Sequence, residues 1–300
     1  MPLKIIKAND PITVERLNLC IYAPPGVGKS SLGFTAEEPL NLDFDNGVYR
    51  ASNRKDSVRI EKWSDADMTA EDLAPYKTIL LDTAGRALDK LSIDIIAKNP
   101  KAGRGDGSLT LQGFGTLKSR FSAYMKMLNS FGKDVVLICH MDEQRNGDEV
   151  LERLDAQGSS KGEIYKSADA MGRIFVRQGK RYLDFSPREG SFGKNPGQLP
   201  EIEIPHPSTN PRFLAETIAK IKEKLNEMTL DQLKAQVAID EWNTAINDLK
   251  DVDDFNRMLV EVKKAPEVSR SYFLSRAKKL GFTYSKKSNA YEAAEPLNVA

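Results

Sequence analysis

Eight consecutive residues have the types and spacing of a phosphate-binding loop. The segment Ala23-Pro24-Pro25-Gly26-Val27-Gly28-Lys29-Ser30 follows an apolar run and precedes a helix-forming stretch. Its glycines let the backbone curl so that N–H groups point at a phosphate. Its lysine adds a full charge for the terminal phosphates, and its last serine adds a hydroxyl for Mg²⁺. The alternative is a chance glycine turn. The pattern predicts that a nucleotide is bound by Pro25, Gly26, Val27, Gly28, Lys29, Ser30 and Ser31.

A phosphate loop of this kind needs a second acidic side chain for the metal ion. The apolar segment Ile79-Leu80-Leu81 ends in Asp82, and this carboxylate would hold Mg²⁺ together with Ser30. The alternative is an exposed acid at the end of a strand. We therefore treat Lys29 and Asp82 as candidate catalytic residues.

The residues after Asp82 bear on whether the chain resembles a GTPase or an ATPase. Asp82-Thr83-Ala84-Gly85 also matches the D-x-x-G motif of GTPases. Guanine selection in those enzymes uses Asn/Thr-Lys-x-Asp after a later strand, where this chain has Cys139-His140-Met141-Asp142. An AAA+ ATPase would place a catalytic glutamate directly after Asp82, and Thr83 occupies that position. We expect ATP as the nucleotide, and we expect another element to supply the acid that activates water.

The segment Leu42-Asp43-Phe44-Asp45-Asn46-Gly47 is the predicted source of that acid. It ends a second apolar strand, and the carboxyl ends of parallel strands meet at the ligand-binding edge of a sheet. Asp45 would polarise the attacking water, while Asp43 alternates to the other face of the strand. The alternative is that both acids only form a turn with Asn46 and Gly47.

Several motifs, in this order, resemble RecA-like ATPases, and in particular phage-encoded proteins of the Sak single-strand-annealing type. They are APPGVGKS, ILLDTA, LICH, SADAMGR and FGKNPGQLP, within residues 17–205. The resemblance implies a catalytic acid after the second strand, usually glutamate and here Asp45. It implies that His140 senses the γ-phosphate, a buried structural histidine being the alternative. It also implies that cations of a neighbouring subunit complete hydrolysis, with Arg188 and Lys194 as candidates.

The same resemblance implies partners. They are single-stranded DNA, further copies of the chain in a ring or filament, and phage replication or recombination proteins. RecA-like proteins bind single-stranded DNA through loops after the third and fourth core strands. The first place is the glycine-rich segment 98–115, predicted as a mobile loop in which Lys98, Lys101 and Arg104 contact phosphates. The second place, residues 141–166, is rich in acids, and we expect a solvated connector there.

A second basic region lies later in the sequence. Residues 257–287 hold nine basic and two acidic side chains, and five aromatic residues lie among and just after them. That mixture suits contacts to phosphates and stacked bases. A solvated basic face is the alternative. The candidate DNA contacts in this region are Lys278, Lys279, Lys286 and Lys287.

Alternating strands and helices must position these residues. Strands are predicted at 17–22, 40–44, 77–81 and 134–139, with a helix after the phosphate loop and another over 117–131. Shorter strand candidates follow at 172–176, 181–185 and 202–204. The pattern predicts an α/β fold of the P-loop NTPase class, RecA-like, with a mainly parallel sheet flanked by helices and an antiparallel extension at one edge.

The character of the chain changes after residue 207. Capped helices follow one another, beginning near Pro211, Thr229, Asp253 and Pro266. The helix predicted over 229–251 is acidic. We predict a RecA-like core domain over 1–227 and a small, mainly helical domain over 228–300.

The composition excludes several classes of protein. With 300 residues, 40% hydrophobic and 29% charged, the chain is neither disordered nor collagenous. Its net charge of +1 means that contacts to DNA must use local patches. Cys20 and Cys139 lie in apolar strands, which argues against a disulfide framework. No apolar segment reaches the ~20 residues that span a bilayer. We expect a cytoplasmic protein without membrane contact.

These features together predict a Mg²⁺-dependent ATPase that acts on single-stranded DNA in phage recombination, replication or repair. Two other classes stay open. One is a packaging motor or helicase loader whose main partner is a protein, and the other is a nucleotide-switched adaptor without DNA contact. Stimulation of ATP hydrolysis by single-stranded DNA separates the first class from the others.

Nucleotide preference is directly testable. Unlabelled ATP should displace a labelled ATP analogue at lower concentration than GTP does, because residues 139–142 lack the groups that select guanine. Fluorescence competition measures this. Preferential displacement by GTP would restore the D-x-x-G interpretation of residues 82–85.

Overall fold

The computed structural model describes residues 12–146, 149–156, 161–188, 190–227 and 230–293. These residues divide into two compact units. One spans Val14–Asn226, and the other groups the described residues from Glu227 onward with residues 12 and 13, which the sequence analysis assigned to the core. The domain boundary expected from the sequence, between residues 227 and 228, lies one residue from this division.

The first unit is built on a single sheet. Its strands are β1 (Asn18–Ala23), β2 (Pro39–Asp43), β3 (Ser57–Arg59), β4 (Thr78–Asp82), β5 (Asp134–Asn146), β6 (Glu149–Leu154), β7 (Ala170–Arg177), β8 (Lys180–Asp184) and β9 (Ile202–Glu203). Their order is β3-β2-β4-β5-β1-β7-β8-β9, and β6 pairs with the outer part of β5. Pairing is parallel from β3 to β7 and antiparallel at β8 and β9. The predicted fold class is confirmed.

Helices cover both faces of this sheet. They are α1 (Lys29–Gly33), α2 (Ala84–Lys98), α3 (Leu111–Ser130), α4 (Lys161–Ser167) and α5 (Phe213–Leu225). The helices α2 and α3 pack on one face, and α1 and α5 pack on the other. Successive side chains of a strand alternate between the faces, so in β1 Leu19 and Ile21 join one core and Cys20 and Tyr22 the other. This two-sided burial explains the continuous apolar runs.

The strand order brings the carboxyl ends of β1, β2 and β4 beside His140 of β5. Strand β5 lies between β1 and β4, so His140 is level with Ala23 at the start of the phosphate loop. On its other side Asp82 is level with Ile138, and Asp43 of β2 is level with Asp82. The candidate residues from four separate segments therefore meet at one edge of the sheet.

The prediction of a mobile loop over 98–115 is wrong at both ends of the segment, which are helical. Its first residue ends α2, and its last five residues belong to α3. The Thr110 hydroxyl accepts a hydrogen bond of 3.1 Å from the Gly113 backbone N–H and so caps α3. A Cβ atom at Gly113 would lie 2.4 Å from the Ala102 carbonyl oxygen. Glycine here permits close packing of the helix start, and it does not mark irregular backbone.

The segment 141–166, expected to be a solvated connector, contains regular secondary structure in its described part. In its described part, β5 continues to Asn146 and forms an antiparallel hairpin with β6, and α4 begins at Lys161. Residues 147–148 and 157–160 lie outside the described chain. Charged residues are compatible with the hairpin because side chains such as Asp142, Glu143 and Gln144 are exposed to solvent.

The second unit contains three helices and a hairpin: α6 (Leu230–Asn247), α7 (Val252–Met258), α8 (Glu267–Lys279), β10 (Phe282–Ser285) and β11 (Ala290–Ala293). The expected start of the acidic helix, Thr229, lies outside the described residues. Phe255 is at the centre of this core, with its ring centroid 4.9 Å from that of Phe273 and 5.7 Å from that of Tyr291. The sequence analysis missed the hairpin, although Gly281 does end α8 with a φ of +79°.

Among the residues that the structure describes, no helix is both long enough and apolar enough to cross a membrane. Cys20 and Cys139 are free, buried thiols whose sulfur atoms lie 3.8 Å apart on adjacent strands.

Candidate functional site

A cavity of about 260 Å³ opens at the edge of the sheet where the strand ends meet. We call it the nucleotide cavity. Of the seven residues predicted to bind nucleotide, all except Val27 line it; Val27 packs against the apolar core instead. Gly26 and Gly28 have φ values of +82° and +87°, which side chains rarely adopt. The lining is Pro25, Gly26, Gly28, Lys29, Ser30, Ser31, Asp45, Gly47, Arg50, Ala51, Asp82, Thr83 and His140.

Lys29 is buried at the base of this cavity, with 6% of its surface exposed. Its ammonium group donates hydrogen bonds to the carbonyl oxygens of Ala23, at 3.0 Å, and Pro24, at 2.8 Å. Burial lowers the pKa of Lys29 to about 8, although the nearby Asp82 carboxylate raises it. An anion such as a triphosphate would relieve this cost, because it supplies the negative charge that buried lysine lacks.

Asp82 faces the same cavity from the end of β4. Burial raises the pKa of Asp82 to about 6, and the carboxylates of Asp43 and Asp45 raise it further. A hydrogen bond with Ser30 and the charge of Lys29 act in the opposite direction. The Asp82 carboxylate and the Ser30 hydroxyl place two oxygen atoms beside the cavity, where a hard cation would offset the negative charge.

Mg²⁺ fits these residues. Within the described residues there is no cluster of three or more His, Cys, Asp or Glu side chains that could hold a metal ion by themselves. Mg²⁺ is commonly bound by one or two protein oxygens together with phosphates and water. Ser30 and Asp82 would supply the protein oxygens, and the ion would neutralise charge on the phosphates.

Asp43, the last residue of β2, and Asp45, two residues later, have different surroundings. Asp43 is buried, and its carboxylate accepts hydrogen bonds of 3.0 Å from the backbone N–H groups of Gly47 and Val48. It therefore shapes the turn. Asp45 instead lines the nucleotide cavity, and its carboxylate lies 3.1 Å from an Arg50 nitrogen. Of the two, only Asp45 has a position from which it could act on a reacting group.

His140 lies beside Asp45, with 3.8 Å between its Nε2 and the Asp45 Oδ2 atom. Burial, with a contribution from Lys29, lowers the pKa of His140, so the imidazole is neutral at pH 7. Its Nδ1 atom is buried and has no hydrogen-bond partner among the described residues. The strand end that holds His140 continues directly into the β5–β6 hairpin.

The sequence analysis missed three arginines near the site. Arg50 and Arg86 both contact Asp45. The distance between the Arg86 Nε and Asp45 Oδ1 atoms is 3.7 Å. Arg181 of β8 donates a hydrogen bond of 3.4 Å to the Val27 carbonyl oxygen. A Cβ atom at Gly28 would lie 2.4 Å from its guanidinium group. Arg50 and Arg86 are close in sequence to Asp45 and Asp82, whereas nothing in the sequence links Arg181 to the loop.

The two candidate cations for a neighbouring subunit are held within their own chain. The Lys194 ammonium group donates hydrogen bonds of 2.6 Å to the carbonyl oxygens of Tyr165 and Ala168. Arg188 donates one of 2.8 Å to the Asp184 carboxylate and also lies near Glu201. Lys194 is thus committed to the fold of its own unit, and the expectation of an intersubunit role is not retained for it. Arg188 is half exposed, but two acids offset its charge.

The candidate DNA contacts of the first unit lie around the end of α2. Lys98, Lys101 and Arg104 are all exposed. Lys98 forms an ion pair of 3.1 Å with Asp94 in the preceding turn. For Lys101 and Arg104, the described part of the chain provides no carboxylate within 4 Å. The segment is an ordered turn, with an N–H of Arg104 bonded to the Ser108 carbonyl at 2.8 Å.

The candidate DNA contacts of the second unit lie at one end of α8 and in the hairpin. Lys278 and Lys279 are in the last turn of α8, and Lys286 and Lys287 are in the turn between β10 and β11. All four are exposed, without an ion pair within the described residues. Among the aromatic residues, Phe273 and Tyr291 are buried in the core, whereas Tyr284 is 46% exposed.

Comparisons with known proteins gave one family match and a match to a solved structure. A family model described as an AAA domain matches residues 15–196, which include the phosphate loop, Asp45, Asp82 and His140. Among solved structures, a KaiC-like protein from the hyperthermophilic archaeon Pyrococcus horikoshii OT3 matches with a TM-score of 0.34 and 9% identity. The match covers 61% of this chain and 87% of that one. No curated protein matches.

Replacing Lys29 should separate stability from binding. Lys29→Met should abolish tight nucleotide binding, measured by calorimetry, because it removes the only charge within the loop. It should also increase the free energy of unfolding of the nucleotide-free protein by on the order of 1–3 kcal/mol at pH 7, which a higher Tm would report.

The pH dependence of this gain has a defined sign. Between pH 8 and 10.5 the unfolded chain binds more protons at Lys29 than the folded one does. Wild-type stability therefore rises with pH through this range, so the advantage of Lys29→Met should be largest below pH 8, decline between pH 8 and 10.5, and vanish above pH 10.5. An advantage that is constant with pH would contradict this explanation.

Asp45→Asn tests the acid that is placed to activate water. The amide keeps the shape of the side chain but cannot take a proton, so ATP turnover should fall by ~10²-fold or more. ATP affinity, measured by calorimetry on the same protein, should stay within a few-fold of wild type. Normal hydrolysis by this variant would show that the catalytic acid lies elsewhere.

Proposed function

Because the chain belongs to the AAA domain family and is a P-loop ATPase, we propose that it hydrolyses ATP with Mg²⁺ and acts on single-stranded DNA. The observation that supports hydrolysis best is the pair of buried opposite charges, Lys29 and Asp82, at one cavity. Each has a pKa displaced toward its neutral form. Such displaced values are typical of functional sites. Thr83, and not a glutamate, follows Asp82, so the acid is expected elsewhere in the cavity.

In the proposed reaction, the oxygen of a water molecule bonds to the γ-phosphorus, and the bond from that phosphorus to the β–γ bridging oxygen breaks. The products are ADP and inorganic phosphate. Asp45 accepts the proton of the attacking water, and the phosphate loop with Lys29 holds the terminal phosphates. Bound Mg²⁺ would offset charge on the leaving group. Arg50 and Arg86 orient the Asp45 carboxylate by contacting its two oxygens.

Two groups of exposed basic side chains support single-stranded DNA as the partner. One group lies at residues 98–104, and the other comprises Lys278, Lys279, Lys286 and Lys287. Tyr284, exposed beside the second group, offers an aromatic ring for stacking. A near-neutral protein that binds a polyanion needs such local patches.

The biological setting is proposed from the sequence resemblance alone. The order of motifs from APPGVGKS to FGKNPGQLP supports a phage-encoded protein of the Sak type, acting in recombination, replication or repair. Proteins of this kind work as homo-oligomers, as rings or filaments, in the cytoplasm of the host. Phage replication or recombination proteins would be further partners.

Salt-dependent DNA binding tests the role of the exposed bases. We expect Lys98, Lys101 and Arg104 replaced together by alanine to weaken single-strand binding and to reduce its stimulation of hydrolysis. Alanine at Lys278, Lys279, Lys286 and Lys287 should weaken binding and spare basal hydrolysis. Each lost phosphate contact should lower the salt slope by about 0.7. Fluorescence anisotropy with labelled oligonucleotides across a salt series measures both.

Lys55, Lys126 and Lys220 provide the control, since they are exposed bases outside both groups. Their replacement should leave affinity and slope unchanged. If the two test variants behave like this control, the DNA assignment fails, and a protein partner, as in a loader or motor, takes its place.

A further inference from the structure

Thr83 is a buried threonine whose hydroxyl group has no partner. It is 2% exposed, and its Oγ1 atom makes no hydrogen bond with any described residue. Thr83 occupies the N-cap position of α2, where a threonine hydroxyl commonly accepts a bond from the first helical turn. No such side-chain bond is present here. The first turn of α2 therefore does not provide the partner that a threonine hydroxyl usually has at this position.

The position of this hydroxyl points to the nucleotide site. Thr83 directly follows Asp82 and lines the nucleotide cavity. It also lines an adjoining cavity of about 190 Å³, and His140 is the other residue that lines both. Thr83 and His140 thus stand at the junction of the two cavities, and each has a buried polar atom without a partner.

The chemistry of the adjoining cavity favours water over phosphate at this junction. Its lining includes Asp89, Asp155 and Arg86, and Arg86 forms an ion pair of 3.0 Å with Asp89, so one acidic residue is in excess. Negative charge on this side would repel a phosphate oxygen, whereas water tolerates it. The cationic Lys29, which attracts phosphates, lies in the nucleotide cavity and not in the adjoining one.

We propose that Thr83 is a further catalytic residue, whose hydroxyl holds the water that attacks the γ-phosphate. This inference rests on the proposed ATP hydrolysis. The Thr83 Oγ1 atom accepts a hydrogen bond from one hydrogen of the water, and Asp45 accepts the other hydrogen and finally the proton. The lone pair of the water is then directed at phosphorus. Two fixed acceptors define its orientation, which one acceptor alone does not.

The cost of this arrangement gives the proposal a sharp signature. A buried polar group without a partner destabilises the folded state, and an apolar group of the same shape removes that cost. Thr83→Val should therefore keep or raise the Tm of the nucleotide-free protein while it lowers turnover. A merely structural threonine would behave in the opposite way, because its loss would lower the Tm and leave turnover per folded molecule unchanged.

Thr78 provides a matched control on the same strand. It is fully buried, and its Oγ1 atom also has no partner within the described chain. It begins β4, whereas the nucleotide cavity lies at the other end of that strand. Thr78→Val should change the Tm in the same direction as Thr83→Val and leave turnover unchanged.

The experiment measures kcat, the ATP Kd by calorimetry and the Tm for both valine variants and for Thr83→Ser. We expect Thr83→Val to lower kcat about tenfold or more with Kd within a few-fold of wild type. Thr83→Ser, which keeps the hydroxyl, should stay within a few-fold of the wild-type kcat. If Thr83→Val does not fold, Thr83→Ala is used in its place, because it removes the same hydroxyl.

Three results would overturn the proposal. If Thr83→Val has the wild-type kcat, the role proposed for Thr83 is refuted, while the proposed hydrolysis of ATP is unaffected. A loss of ATP affinity as large as the loss of kcat shows that the hydroxyl contacts a phosphate and not water. A wild-type protein that does not hydrolyse ATP refutes the proposed function and this inference together.

Discussion

The burial of Lys29 and Asp82 beneath the phosphate loop is the constraint on which the rest of the site depends. A charged group loses its hydration when it is buried, and the pKa values of about 8 and about 6 report that cost for the two residues. Each is partly stabilised by the charge of the other. The remaining cost is relieved by a ligand that brings negative charge to the lysine and positive charge to the carboxylate. A metal–triphosphate complex has both.

The strand order converts this constraint into a site. Because β5 lies between β1 and β4, its residue His140 is placed between the start of the phosphate loop and Asp82. His140 thereby contacts the acid from β2, and the same strand continues outward as a hairpin. Strand β5 thus connects the nucleotide cavity directly to the β5–β6 hairpin.

Local patterns in the sequence were sufficient for the fold and for the phosphate loop, because both are encoded by short segments. Buried parallel strands are continuous apolar runs, and the phosphate loop is a single run of neighbouring residues that includes Gly26 and Gly28. The start of α3 was mistaken for a loop because Gly113 permits packing against Ala102, a contact that no local pattern shows. Arg181 lies 154 residues from Val27 in the chain, and only the pairing of β8 with β7 brings it to the loop. Prediction failed where a contact depends on tertiary structure.

The stability cost of this site is small beside what the sheet supplies. The displaced pKa values of Lys29 and Asp82 correspond to about 3 kcal/mol for each residue, and a buried hydroxyl without a partner adds about 1–3 kcal/mol. A fully buried Leu or Ile side chain contributes about 1.5–3 kcal/mol. Strand β4 alone buries Ile79, Leu80 and Leu81 completely between the two helical layers. A sheet covered on both faces can therefore hold charged and unpaired groups at its edge, where one covered on a single face would have far less apolar burial to offset them.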